Sequence, residues 1–265
     1  MPRLIRHLSG LAALIFSLTL SSASHADAQA DAQAEYEAAN IAWGKVLEEY
    51  VDSEGRTDFI GLSENISDLD TYVETVAELG PNTNPDLFDT DEKIMAYHIN
   101  TYNALAMKGV IERGIPAGFT SFFKRASFFK FRKVRLDGDK TDLYTYENKV
   151  IRPLDEPRSH FALNCMVRDC PRLPREPFSA ETLDASLDEL TREFFSKTKH
   201  LRIDHEHERV YVSAILDFYT KDFVSSGRRA DLPDYINPYL EQPLPEDYSV
   251  HYIDYDWRIN QSPSD

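Results

Sequence analysis

The stretch Thr90-Asp-Glu-Lys-Ile94-Met-Ala-Tyr97-His98-Ile99-Asn100-Thr-Tyr102-Asn103-Ala-Leu105-Ala-Met107-Lys-Gly-Val-Ile111-Glu-Arg113 decides how the chain is read. Thr90 followed by Asp91 and Glu92 is a helix start, and Gly114 with Pro116 is a helix stop. Between them Ile94, Tyr97, His98, Ile99, Tyr102, Leu105, Met107 and Ile111 spread around most of the circumference. A helix with so few solvent-loving positions is expected at the centre of a fold. Asn100 and Asn103 lie three apart on one face, and buried amides need partners. A polar network is therefore expected across this helix.

Toward the N-terminus the pattern stays helical. Ala39, Trp43, Val46, Leu47 and Tyr50 recur at spacings of three and four, and Asp52 to Asp58, with Gly55, breaks the run. Ile66, Leu69, Tyr72, Val73 and Val76 form a second stripe that Gly80-Pro81 stops. Toward the C-terminus the elements shorten. Val134 to Leu136 and Thr141 to Tyr144 flank Asp137-Gly138 as strand, tight turn and strand, and a helical piece covers Tyr146 to Ile151. Ser159 to Cys165 reads as a strand, with Phe161, Leu163 and Cys165 on one face and His160, Ala162 and Asn164 on the other. A helix opening at Ser179-Ala-Glu-Thr182, a hairpin over Leu201 to Val212, a helix over Ser213 to Phe223, a helical turn over 234–240 and a closing strand over Val250 to Trp257 follow. The sum is a single α+β domain over residues 35–265, helical in its N-terminal half, with a small, mostly antiparallel sheet.

Residues 1–26 read as a cleavable export signal. Arg3 and Arg6 precede a mostly apolar run from Leu8 to Leu20, and Ser24-His25-Ala26 offers small residues for cleavage. That run is short for a bilayer span, and no integral membrane segment is expected in the mature chain. Residues 27–34, Asp-Ala-Gln-Ala repeated, read as a disordered mature terminus. The formal net charge is −16, and loss of Arg3 and Arg6 with the signal deepens it. Such a balance opposes nucleic-acid binding and suits a soluble periplasmic protein.

The only two cysteines lie in Arg158-Ser-His160-Phe-Ala-Leu-Asn164-Cys165-Met-Val-Arg168-Asp-Cys170-Pro171. In an oxidising compartment Cys165 and Cys170 are expected to form a disulfide. The competing reading makes Cys165 a thiol nucleophile of a hydrolase or acyl transferase, with a histidine base. On a strand His160 would face away from Cys165, which leaves His98 as the other candidate base. A redox dithiol is disfavoured, since such pairs usually have two intervening residues. Independently of sulfur, Asn100, Asn103, Glu147, Arg152, His160 and Asn164 are polar residues inside apolar patterns, and Glu147 is a candidate partner for His160. If they converge they line a polar cleft for a small molecule or an envelope component. Cys165, His160 and Glu147 are the catalytic candidates.

No cofactor is implied. His200 and Asp204-His205-Glu206-His207-Glu208 have metal-ligand residue types, but the cluster reads as a solvated hairpin turn and no metal site is expected. Phe119 to Arg135 interleaves phenylalanines with Lys and Arg and holds no acid. It is read as core aromatics whose basic neighbours complement an acidic remainder, against the alternative of contact with anionic lipid.

The chain resembles the exported and cytosolic proteins grouped as domain of unknown function family 547. The pieces that carry the resemblance are Asn100-Thr-Tyr102-Asn103-Ala104, Tyr146-Glu147 with Arg152, His160-Phe-Ala-Leu-Asn164-Cys165 and Cys170-Pro171. Ser213, Phe218-Tyr219, Asp222-Phe223 and Tyr255-Asp256-Trp257-Arg-Ile-Asn260 continue it. The core of the similarity covers about residues 90–223. It implies a shared domain and a shared polar site, and no activity. His98 stands where such proteins usually carry a bulky apolar residue, so it is not implied as part of that site.

Overall fold

A computed structural model describes residues 10–263, with side chains from residue 27 onward. Residues 1–9 of the expected signal lie outside the described residues, and the side chains of 10–26 are likewise outside them. Helix α1 (Gly10–Tyr50) runs without a break through Asp27 to Ala34, where a disordered tail is expected. Alanine and glutamine are strong helix formers, and Ala32 and Tyr36 already rest on the core.

The buried face of α1, with Ala39, Trp43, Val46 and Leu47, packs chiefly on α3 (Ser67–Glu78), with the short α2 (Phe59–Glu64) between them in the chain. The centre of the fold is α4 (Asp91–Glu112), buried at nearly every position from Met95 to Met107. Its ends follow the sequence signals. The Lys93 amide donates to Thr90 Oγ1 at 3.3 Å. At the other end Ile115 N–H reaches Val110 C=O and Gly114 N–H reaches Ile111 C=O, with Gly114 at φ +69°. Glycine takes that left-handed conformation without a Cβ penalty, which closes the helix.

After α4 come α5 (Phe122–Ala126) and a single π turn, Ser127–Phe131. The antiparallel hairpin β1 (Lys133–Leu136) and β2 (Asp139–Asp142) turns at Asp137-Gly138. The buried Asp137 carboxylate accepts the Asn82 and Thr83 amides at 2.7 and 2.9 Å and ties the hairpin to the 80–84 loop. Helix α6 (Leu143–Tyr146) then runs directly into a second π turn, Glu147–Ile151. Farther on, α7 (Leu183–Ser196) leads to β3 (Leu201–Asp204) and β4 (Arg209–Ser213), followed by α8 (Ile215–Phe218), α9 (Thr220–Phe223), α10 (Leu232–Ile236) and β5 (Ser249–Ile253). The β3–β4 pair is antiparallel, as expected, but β5 joins β4 in parallel. The fold is α+β.

Buried side chains form two clusters. One gathers α1 to α4 and the first hairpin; the other gathers the three-stranded sheet, α8 to α10 and the end of α7. The segment from Ser159 to Cys165 crosses between them, and it is not a strand. Pro157–Phe161 forms a 3-10 turn, and a loop follows. Proline at the first position presets φ for such a turn. The alternating apolar residues serve different cores: Phe161 packs against Phe194 in the second cluster, whereas Leu163 belongs to the first. A period of two in the sequence thus arises here without a sheet face.

Candidate functional site

Along the seam between the two clusters lies a cavity of about 380 Å³, within the usual range for small-molecule sites. Each wall comes from a different element. Helix α4 supplies Tyr102, and α5 supplies Phe122 and Arg125. The two π turns supply Phe129 and Lys130 on one side and Glu147 on the other. A π turn inserts an extra residue and re-aims the side chains around it, which is why such turns recur at functional sites. The 157–171 segment contributes His160, Leu163, Cys165 and Pro171. Ile215, Phe218 and Tyr219 from the α8 region, with Tyr255 and Trp257 after β5, complete the wall. The lining is mainly aromatic, with a few polar groups set into it.

Of the polar residues singled out in the sequence, Glu147 and His160 line this cavity, and the asparagines do not. Asn100 Oδ1 accepts from Trp43 Nε1 and from the Phe178 amide, while its Nδ2 donates to the Phe178 carbonyl at 2.8 Å. Asn103 donates to the Ala162 carbonyl at 3.0 Å and accepts the Asn164 amide at 2.7 Å. Asn164 in turn donates to the Pro171 carbonyl and accepts the Met166 amide, each at 2.7 Å. These amides pin the backbone of the loop, and a folded core demands such pairing of buried polar groups. The expected polar cleft lined by Asn100, Asn103 and Asn164 is therefore corrected to an aromatic cleft whose wall these three residues do not form.

The charged groups are arranged differently. His160 Nε2 lies 2.8 Å from Asp222 Oδ2, so Asp222 is the partner of His160 and Glu147 is not. Arg152 grips the same carboxylate with two bonds, at 2.6 and 2.7 Å, and sits behind the wall rather than on it. Burial opposes ionisation of Asp222, but the hydrogen bonds from Arg152 and His160, reinforced by charge, outweigh it and hold the carboxyl well below the usual range. The His160 ring stacks on Tyr219 with centroids 4.2 Å apart, and the Arg152 guanidinium lies 5.1 Å from the same ring. Glu147 accepts the Tyr102 hydroxyl at 3.1 Å. Burial first, then this carboxylate, raises both Tyr102 and Tyr219 well above the usual phenol range. His98, the other candidate base, bonds Tyr146 at 2.8 Å away from the cavity wall. Sequence reading missed Asp222, Tyr219, Tyr255 and Trp257 as site residues. The available signal was an acid three residues after Tyr219 in a short helical segment, facing the same way.

Cys165 and Cys170 are joined as a disulfide, with their α-carbons 6.2 Å apart. The Tyr255 hydroxyl lies 3.7 Å from Cys165 Sγ and 3.5 Å from Cys170 Sγ. The bridge is a partition: Cys165 faces the aromatic cavity, while Cys170 faces a wider depression lined by Arg168, Asp169, Lys197 and Lys199. Arg56, Arg172, Glu54 and Asp256 also line that depression, so both signs of charge face it. The histidines of the hairpin turn are paired within the chain, His207 with Asp204 and His205 with Tyr248. Among the described residues no helix is long and apolar enough to cross a membrane.

Residues 86–195 match the family described as protein of unknown function, DUF547. No curated protein and no solved structure matches the chain. The matched segment carries Tyr102, Glu147, His160 and the disulfide; Asp222, Tyr255 and Trp257 lie C-terminal to it.

Proposed function

We propose that the protein is an exported, periplasmic binding protein that holds a small, largely apolar molecule in the aromatic cleft, with an amino or other proton-donating group turned to Glu147. The observation that carries this reading is a buried carboxylate set among aromatic walls. Ring faces and a carboxylate together favour a cation with an apolar body. Trp257 lines the cleft, and the other tryptophan, Trp43, is fully buried elsewhere, so tryptophan fluorescence reports on the site. Titration with 2-phenylethylamine, 2-phenylethanol and phenylacetate is expected to rank the amine first, by about tenfold over the alcohol. Glu147→Gln is expected to abolish that preference. No response to any of the three, or a preference for phenylacetate, overturns the reading. Fractionation with a mass measurement of the N-terminus tests export, with cleavage expected near Ala26.

A second reading rests on the Asp222–His160 pair. A carboxylate-oriented histidine shares a cavity with Cys165, the arrangement that a thiol-dependent hydrolase or acyl transferase uses. It requires an open disulfide. Thiol counting on the unreduced protein separates the two: no free thiol supports binding, and rapid alkylation of Cys165 at neutral pH supports thiol chemistry.

A further inference from the structure

The Phe119–Arg135 stretch divides in two. Phe119 and Phe128 are core residues, 2 % and 0 % exposed, whereas Phe122, Phe123 and Phe131 are 71 %, 82 % and 69 % exposed. The expectation that these aromatics are core holds for only part of the stretch. The basic residues divide as well. Arg132, Lys133 and Arg135 pair with Glu112, Asp142 and Glu78. Lys124 and Lys130 have no carboxylate partner among the described residues, although the chain as a whole carries a net charge of −16.

We infer that Phe122, Phe123 and Phe131, with Lys124 and Lys130 among them, form a docking face for the surface of an anionic lipid bilayer. Aromatic rings enter the boundary between headgroups and acyl chains, while ammonium groups meet lipid phosphates. The patch is compatible with that surface because no acid interrupts it from Phe119 to Arg135. A second copy meeting it across a two-fold axis would set the same lysines against each other. Phe122 and Lys130 also line the aromatic cleft, so the docked face is continuous with the cleft wall.

The test is flotation of the purified chain with phosphatidylcholine vesicles, with and without phosphatidylglycerol. Binding to the anionic vesicles is expected, and it should weaken with salt. Lys124→Gln and Lys130→Gln should each reduce it about fivefold. The combined Phe122→Ser, Phe123→Ser and Phe131→Ser variant should lose it, with an unchanged melting temperature because these side chains are exposed. Any contribution of residues 1–26 is common to every variant and cancels in the comparison. Glu147→Gln should float like the wild type, which separates this inference from the ligand reading. The inference is overturned if the unaltered chain ignores anionic vesicles or if the triple serine variant floats equally. It is also overturned if sedimentation shows a dimer that the triple variant dissolves.

Discussion

Two polar pairs brace the loop from His160 to Cys165, and they differ in kind: Asn103 with Asn164, and Asp222 with His160. The asparagines are buried, bond to backbone carbonyls and N–H groups, and do not reach the cavity. His160 stands at the cavity wall with Asp222 bonded behind it, and Glu147 faces the same cavity. A polar residue inside an apolar pattern is thus an ambiguous signal. Buried amides with two-sided pairing are architecture; ionisable groups on a cavity wall are chemistry.

That distinction can be broken most sharply at Asn103. Asn103→Ala leaves a buried carbonyl and a buried amide unpaired and should cost about 3 kcal/mol of stability. Urea denaturation measures this, and a cost near zero would erase the contrast. His98 falls on the architectural side. Burial, partly opposed by Asp137, lowers its pKa to about 4. The unfolded histidine titrates near about 6.5, so between those values the unfolded chain binds more protons and stability falls as pH falls. The loss should reach about 2 kcal/mol at about pH 5, and His98→Phe should flatten that part of the profile.

Asp222 tests the other side. Its carboxyl is held below the usual range, so its contribution is complete above the unfolded value of about 4 and is lost as pH falls below it. Asp222→Asn should cost about 1–2 kcal/mol at neutral pH, and the gap from the wild type should narrow in acid. A gap that widens in acid would reverse the assignment. The smallest effect on stability belongs to Glu147→Gln, which keeps an acceptor for Tyr102 and should change stability by less than about 1 kcal/mol. Its consequence should appear in the amine titration instead.

Much of the fold was legible because local chemistry and tertiary structure agree. Thr90 and Gly114 mark the ends of the central helix, Asp137-Gly138 marks the first hairpin, and Asp204 to Glu208 marks the second. Ser159 to Cys165 failed because alternation assumes one buried face, and here successive apolar residues enter different cores. The π turns have no periodic signature, although they position Phe129, Lys130 and Glu147. At the site, Glu147 and His160 were found from their polarity. Asp222 was not, because the pair it makes with His160 spans 62 positions and only the closed fold brings the two together.

The bridge between Cys165 and Cys170 also bears on what the cleft can say to a guest. A disulfide has no proton to give, whereas a thiol is a weak donor. With the sulfurs joined and Tyr255 turned toward them, that stretch of wall is mute as a hydrogen-bond donor. A molecule that seeks to be donated to must find its partner elsewhere; one that donates has Glu147 to answer it.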